Sequence, residues 1–240
     1  RRTSGGWKFN FEAVYTKTLQ DVLYKSINIK DSTSTLSGAG DNRVVFFGNG
    51  DQRKINKNFT NVFLLSNTNK GYRYQLSGTV TKAIKKFTAS TTYTYGESKD
   101  ISNGVRVSPQ ANWEFNQTIL ANEPKLAYSN FDLRHRSFTN LQYARNGKKS
   151  NSFVTLTYTA QSGSPFTYTY IGDINRDGSP NNDLIYIPGN IGESRLTDIK
   201  NGSNVVLITA AEQWANLDNY IKNDKYLSKR RGEYAERNGA

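Results

Sequence analysis

The sequence contains no cysteine, which excludes disulfide scaffolds and thiolate metal sites. It contains no methionine either, even at position 1, and its opening RRTSGG predicts a piece of a longer polypeptide. No apolar run approaches the roughly 20 residues of a membrane helix, and no signal peptide is visible. The single histidine, His135, cannot supply a Ser-His-Asp set, and no carboxylate pair for glycoside hydrolysis is identifiable. We therefore expect a protein that is not an enzyme.

The composition is poor in apolar residues but rich in aromatic ones and in positive charge. Apolar residues make up 35% of the chain, with 15 tyrosines and 12 phenylalanines. This balance favours a structure with one apolar and one wet face over a conventional core. The net charge of +12 predicts an anionic partner such as lipid headgroups or lipopolysaccharide, or only a solvated basic surface. Because KRRGEYAER alone concentrates the charge, with little aromatic interleaving, we expect no nucleic-acid partner.

Hydrophobicity alternates along the chain with period two, which predicts β-strands with one apolar and one polar face. In WKFNFEAVYTK, for example, Trp7, Phe9 and Phe11 alternate with polar residues. The stretches 71–84 and 151–170 are longer than the about five or six residues usual in soluble sheets, and long enough to cross a bilayer. The predicted strands are residues 7–17, 71–84, 87–96, 131–145 and 153–160, with the parity of the last continuing through Phe166, Tyr168 and Tyr170.

The connections between these strands alternate between short and long. Only KK separates Ile84 from Phe87, and a short NGKKSNS separates Arg145 from Phe153. Short turns on one side and long loops on the other are typical of outer-membrane barrels, whose aromatic girdles would also explain the tyrosines near strand ends. Because a barrel closes with at least about eight strands, these strands would be part of a larger one. The predicted long loops are about 20–60, 97–129 and 171–240.

Three stretches carry a resemblance to a known family: residues 67–100, 129–144 and 162–188. They resemble the C-terminal barrel region of TonB-dependent outer-membrane receptors. The similarity is greatest to the Oar-like receptors of Bacteroidetes-type bacteria, relatives of the SusC-like glycan importers. The most specific stretch is SGSPFTYTYIGDINRDGSPNNDLIYIP. The resemblance implies an all-β fold, an antiparallel transmembrane β-barrel with long extracellular loops. Residues 1–240 would form one part of a single barrel domain of about 22 strands with a plugged lumen.

The resemblance also implies a function, a location and partners. The parent protein would be integral to the outer membrane of a Gram-negative cell, where it would bind a substrate and import it. The chain departs from the full pattern, since it shows no plug, no TonB box and no recognisable final strand. The implied partners are the rest of the barrel and its plug, the TonB complex, a surface lipoprotein lid and lipopolysaccharide.

The stretch GDINRDGSPNNDLIYIP predicts a calcium loop or a series of turns. Carboxylate and amide side chains alternate before Gly178, as in the first half of a calcium loop, where glycine permits the sharp turn. Leu184 stands where such a loop has its last acid, so a neighbouring acid would have to replace it. The alternative is a series of Asx turns without metal. The predicted ligands of Ca²⁺, the sole predicted cofactor, are Asp173, Asn175, Asp177, Asn181 and Asp183.

Polar residues on the strand faces predict a wet lumen. The predicted lumen-facing residues are Arg73, Gln75, Asp132, Arg134 and Arg136, which would meet the plug or the substrate, or only solvent and one another. His135 shares the parity of the apolar residues of its strand, so we expect it to face lipid or to pack. Residues 210–221 predict a short helix in the last loop, begun by a capping box of Thr209 and Glu212.

Two other functions are compatible with the same strands. One is a surface-exposed adhesion or binding module, stabilised by calcium and without transport. The other is a secreted carbohydrate enzyme of the β-sandwich type, against which the absence of a catalytic set argues.

Overall fold

The computed structural model describes residues 2–32, 34–36, 40–102 and 104–240. These residues are mostly β, and their paired strands are antiparallel. Within these ranges no helix is long and apolar enough to cross a membrane.

The strands are β1 (Arg2–Ser4), β2 (Trp7–Lys17), β3 (Asp21–Ser26), β4 (Ser34–Thr35), β5 (Val44–Val45), β6 (Phe63–Thr68), β7 (Tyr72–Ile84), β8 (Phe87–Asp100), β9 (Ala127–Tyr128), β10 (His135–Asn146), β11 (Asn151–Gln161), β12 (Tyr186–Ile187), β13 (Ile199–Lys200), β14 (Val206–Ile208) and β15 (Glu233–Tyr234). The α-helices are α1 (Pro109–Glu114) and α2 (Ala210–Asn223), with 3₁₀ turns at Gly50–Arg53, Ile191–Glu193 and Leu227–Lys229.

The chain divides into two compact units, which are described separately. The sheet unit comprises Arg1–Gln20, Asn69–Asp100 and Tyr128–Pro165. The loop unit comprises Asp21–Thr68, Ile101–Ala127 and Phe166–Ala240.

The sheet unit is built on strands in the order β1-β2-β7-β8-β10-β11. The predicted strand 7–17 is confirmed as β2, and the predictions 71–84 and 87–96 correspond to β7 and β8, the latter extending to Asp100. The fourth prediction, 131–145, is right except at its start, since β10 begins only at His135. A turn in which the Asp132 N–H donates to the Ser129 carbonyl (3.0 Å) occupies the residues before it.

The prediction that the last strand continues to Tyr170 is wrong. β11 begins at Asn151 and ends at Gln161, followed by a segment without regular structure. Pro165 in that segment has no N–H with which to extend the ladder, and Gly163 favours irregular backbone.

Short and long connections lie at opposite ends of the sheet. At one end, two-residue turns join β1 to β2 and β7 to β8, and residues 147–150 join β10 to β11. Gly5 and Gly6 both have positive φ, as a tight hairpin turn requires. At the other end Tyr72 lies opposite both Lys17 and Lys99, and the chain leaves through residues 18–71 and 101–134. The predicted asymmetry of connections is confirmed.

Most apolar residues of the sheet unit lie together on one face and are exposed, but Val14, Phe138 and Phe153 are exposed on the opposite face. Across the ladder Val80 pairs with Phe9, and Leu141 pairs with both Ala89 and Leu156. Phe11 is 79% exposed and Leu156 64% exposed. All the buried apolar side chains of the described residues belong to the loop unit, so the sheet unit has no apolar core of its own. They are Val45, Ile101, Trp113, Ala121, Leu184, Tyr186, Ile187, Ile221, Leu227 and Ala235.

The loop unit has a small apolar core beneath a helix. Ile187 of β12, Ile221 of α2, Leu227 and Ala235 form one buried cluster, in which Ile187 is 1% exposed. The predicted helix 210–221 is confirmed as α2, with the Thr209 side chain accepting from the Glu212 N–H and the Glu212 carboxylate accepting from the Thr209 N–H.

Two of the basic residues near the end of the chain form ion pairs within the loop unit. Arg231 pairs with Asp218 at 2.6 Å, and Arg230 pairs with Glu236 at 3.1 Å. These pairs reduce the charge that KRRGEYAER presents to a partner.

Candidate functional site

The predicted calcium loop belongs to the loop unit and is its most buried polar region. Asn175, Asp177, Asn182 and Asp183 are each at most 1% exposed. Two bridges hold the loop in place, an antiparallel one between Thr169 and Leu184 and a parallel one between Thr118 and Asp183. A further backbone hydrogen bond holds the loop: the N–H of residue 46 donates to the Asn175 carbonyl at 2.8 Å.

A buried ion-pair network lies beside this loop. Arg43, 2% exposed, donates from Nη1 to Asp183 Oδ1 (3.0 Å) and from Nε to both carboxylate oxygens of Asp41 (3.0 and 3.1 Å). Its Nη2 donates to the Leu184 carbonyl at 2.6 Å. The guanidinium lies 5.1 Å from the Tyr170 ring centroid and 5.5 Å from that of Tyr234. One cation is thus shared by two carboxylates, one carbonyl and two aromatic rings.

The second oxygen of Asp183 orients the backbone of the loop. Asp183 Oδ2 accepts from the N–H of Ile174 at 2.8 Å and of Asn175 at 3.4 Å. The Tyr234 hydroxyl donates to Asp41 Oδ1 at 2.9 Å, which closes the network on its other side. Both carboxylates therefore share the single positive charge of Arg43, and all four of their oxygens are hydrogen-bonded or ion-paired.

Asp177 is held by donors on three sides. Its Oδ1 accepts from the Ser179 N–H at 2.8 Å, as in an Asx turn. Its Oδ2 accepts from the side-chain amides of Asn182 (2.8 Å) and Asn175 (3.2 Å), and the Asn175 side chain in turn accepts from the Asp177 N–H. Asp173 forms a further turn by accepting from the Gly178 N–H at 2.9 Å.

Glycine is favoured at position 178 by its backbone conformation, since its φ of +103° lies in the region that side chains disfavour. A Cβ there would meet only the far end of the Arg53 side chain, which can move aside. The charge of Arg53 acts to lower the pKa of Asp173. This turn therefore needs glycine for its φ, whether or not a metal binds.

Burial raises the pKa values of the acids in this loop. Desolvation raises the pKa of Asp177 to about 6, although the hydrogen bonds from Asn182 and Ser179 act in the opposite direction. Desolvation also raises the pKa values of Asp173 and Asp183, against the charges of Arg53 and Arg43 respectively. Desolvation acts to lower the pKa of Arg43, but the hydrogen bond and charge of Asp41, together with the charge of Asp183, raise it.

The five predicted calcium ligands do not form a calcium shell in this structure. Asn181 is exposed, and Asp183 has its two oxygens occupied by Arg43 and by backbone N–H groups. Among the residues that the structure describes, the buried side-chain oxygens without a partner are Asp173 Oδ1 and Asn182 Oδ1, whereas calcium takes about six to eight oxygens. In the described part of the chain no group of three or more acidic or histidine side chains is arranged to hold a metal. The geometry favours metal-free Asx turns, and calcium binding stays a prediction that calorimetric titration can test.

The predicted lumen-facing residues, all in the sheet unit, fall into two groups. Arg73, Gln75 and Arg136 lie on the polar face, where Arg73 and Arg136 are exposed and line a groove of about 340 Å³. Asp132 is buried, accepting from the Ser98 N–H at 2.6 Å and from Arg134 at 2.9 Å. Asp132 and Arg134 therefore hold the start of β10 and are not free side chains of the polar face.

His135 lies on the apolar face, as its parity predicts. It is exposed, its Nδ1 is 2.6 Å from the Tyr93 hydroxyl, and its ring is 5.3 Å from that of Tyr95. It belongs to a cluster of aromatic rings at the long-connection end of the sheet.

Sequence reasoning missed the cation of the buried network and one of its acids. Arg43 and Asp41 lie in an irregular segment about 140 residues before Asp183, and no periodicity or spacing connects them. The only available signal was indirect: buried acids require a cation or a donor, so the loop had to have a partner elsewhere.

Comparison of the chain with protein-family profiles, with curated proteins and with solved structures finds no match.

Proposed function

We propose that the chain is part of a TonB-dependent outer-membrane transporter, in which the sheet unit is a segment of the wall of a 22-stranded barrel. The observation that carries this proposal is the exposed apolar face of a sheet that has no apolar core. Such a face is costly in water but matches the hydrocarbon of a bilayer.

Aromatic rings at both ends of this face support the proposal. Near the short turns, the rings of Phe87 and Tyr143 are 4.8 Å apart. Near the long connections, Tyr74 and Tyr95 are 6.1 Å apart. Phe87 and Tyr95 lie eight residues apart on β8, which is about 27 Å along a strand. Aromatic girdles flank an apolar band about 25 Å tall in outer-membrane barrels.

The opposite face of the sheet is mostly polar, which supports a water-filled lumen, although Val14, Phe138 and Phe153 also lie on it. A ladder of hydroxyls joins β7 to β8, with Ser77 3.1 Å from Thr94 and Thr79 2.9 Å from Thr92. The exposed Arg73 and Arg136 add positive charge to this face. In the proposed orientation the short turns are periplasmic and the long connections are extracellular, where they bind or cover the substrate.

Alkaline carbonate extraction of cell membranes tests the proposal. An integral barrel stays with the membrane pellet, and we expect the polypeptide to have an intact mass several times the 27.0 kDa of this chain. Release into the supernatant, with a mass near 27 kDa, would contradict transport and favour the surface adhesion module.

A further inference from the structure

The loop unit contains a cavity of about 390 Å³ beside its apolar core. The cavity lies between α2, which contributes Leu217 and Tyr220, and β12, which contributes Tyr186 and Ile187. Small-molecule sites in proteins have volumes of about 300–1,000 Å³ and mostly apolar linings. The size and the lining of this cavity fit a ligand of one or two rings.

Aromatic side chains line the cavity while their hydroxyls are already bonded. The Tyr168 hydroxyl donates to Asp224 at 2.7 Å, and the Tyr186 hydroxyl donates to Glu193 at 2.9 Å. The Tyr170 hydroxyl accepts from the Tyr186 N–H at 3.4 Å. These rings therefore present carbon surface to the cavity, on which a planar apolar ligand can stack.

Of the charged side chains that line the cavity, one cation is available to bind a ligand. Glu193 is occupied by Tyr186 and by the Gly189 N–H, and Asp41 is occupied by Arg43 and Tyr234. Arg195 lines the cavity, is exposed and makes no ion pair or side-chain hydrogen bond with the described residues. A guanidinium binds a carboxylate through two parallel hydrogen bonds.

We propose that this cavity binds a small aromatic monocarboxylate, with its rings between the tyrosines and its carboxylate on Arg195. A dianion is disfavoured because Glu193 and Asp41 also line the cavity. A neutral ligand of the same size would lack the ion pair. The inference does not depend on transport, since all of its residues lie in the loop unit.

Isothermal titration calorimetry on the whole chain, with 2-naphthoate and its neutral analogue 2-naphthamide, tests the proposal. We expect one site for 2-naphthoate and affinity at least ten-fold lower for 2-naphthamide. Arg195→Gln should lower the affinity for 2-naphthoate about ten-fold and leave that for 2-naphthamide unchanged. Lys200→Gln removes an exposed charge that does not line the cavity and should change neither.

A second variant tests the cavity itself. Leu196 lines the cavity but is not a member of the buried core cluster, so Leu196→Trp should fill the space and abolish binding of both probes. Far-UV circular dichroism and the melting temperature verify that this variant folds. The proposal is overturned if neither probe binds, if both bind equally, or if Arg195→Gln binds 2-naphthoate as tightly as the unmodified chain.

Discussion

The two units of this chain differ in what they bury. The sheet unit exposes its apolar residues and buries few side chains, among them Thr94 and Asp132. The loop unit buries both its apolar core and a polar network around Arg43 and Asp183. A large exposed apolar face marks an interaction surface, whereas a buried charge needs a partner inside the protein. The sheet unit therefore leaves its apolar face uncovered within the described residues, and the loop unit compensates buried charge with its own ion pairs.

The largest expected effect is the loss of the buried cation in the loop unit. Arg43→Met leaves Asp41 and Asp183 buried without their partner, which costs about 3–5 kcal/mol of unfolding free energy. Lys54→Met is the matched control because Lys54 pairs with the exposed Asp51, a kind of pair worth about 0–1 kcal/mol. Hydrogen exchange of the peptides around residues 41–46 and 172–188 measures both variants. Equal protection in the two variants would contradict the proposed dependence on Arg43.

The second effect separates the two faces of the sheet unit. Leu141 and Asn140 are neighbours on β10 but point to the apolar and polar faces respectively. If the apolar face meets lipid, Leu141→Arg costs about 2–4 kcal/mol near the bilayer midplane, while Asn140→Arg on the lumen side costs little. Unfolding by urea in lipid vesicles measures the difference. In a water-exposed sheet the two substitutions would have similar small effects, and the lipid assignment would fail.

The contrast between the units also decided what the sequence could predict. The alternation of apolar and polar residues located β2, β7 and β8, because successive side chains of a strand point to opposite faces of the sheet. This is a local property of the sequence. The capping box likewise predicted α2, since its two hydrogen bonds join Thr209 and Glu212, three positions apart. The Arg43–Asp183 pair joins residues with no local relation, so it could be found only in the structure.

The candidate calcium site shows the same limit. The spacing of Asp173, Asn175 and Asp177 predicts a polar loop, but calcium binding and metal-free Asx turns share that spacing. The backbone N–H of Ser179 and the side-chain amide of Asn182 occupy the oxygens of Asp177. Both donors lie within five residues of Asp177, but the spacing of the acids alone does not tell whether the folded backbone turns these donors toward its oxygens.

A smaller effect concerns pH and the loop unit. The folded pKa of Asp177, about 6, lies above the 3.8 that is ordinary for an aspartate, so the folded state binds a proton more tightly than the unfolded state. Its contribution to stability is therefore full below about pH 4 and is lost as the pH rises through 6. We expect the unfolding free energy of the loop unit to increase by about 1 kcal/mol from pH 7 to pH 5.

Asp177→Asn tests that assignment. The substitution removes the titrating group, and the unpartnered Asn182 Oδ1 can accept from the new amide if the Asn182 side chain turns over. Urea unfolding of the variant between pH 5 and pH 7 should show a smaller increase than the unmodified chain. An unchanged increase would assign the effect to Asp173 or Asp183, whose pKa values are raised in the same direction.

The smallest effect concerns backbone strain in a turn of the sheet unit. Lys85, in the two-residue turn between β7 and β8, has a φ of +51° that lysine disfavours and asparagine tolerates. Lys85→Asn should therefore stabilise the hairpin by up to about 1 kcal/mol, because it removes backbone strain without touching either face. Lys86→Asn is the control, since residue 86 has no positive φ and the charge change is the same. Urea midpoints that rise equally in both variants would assign the gain to charge, and a midpoint that rises only for Lys85→Asn would assign it to the turn.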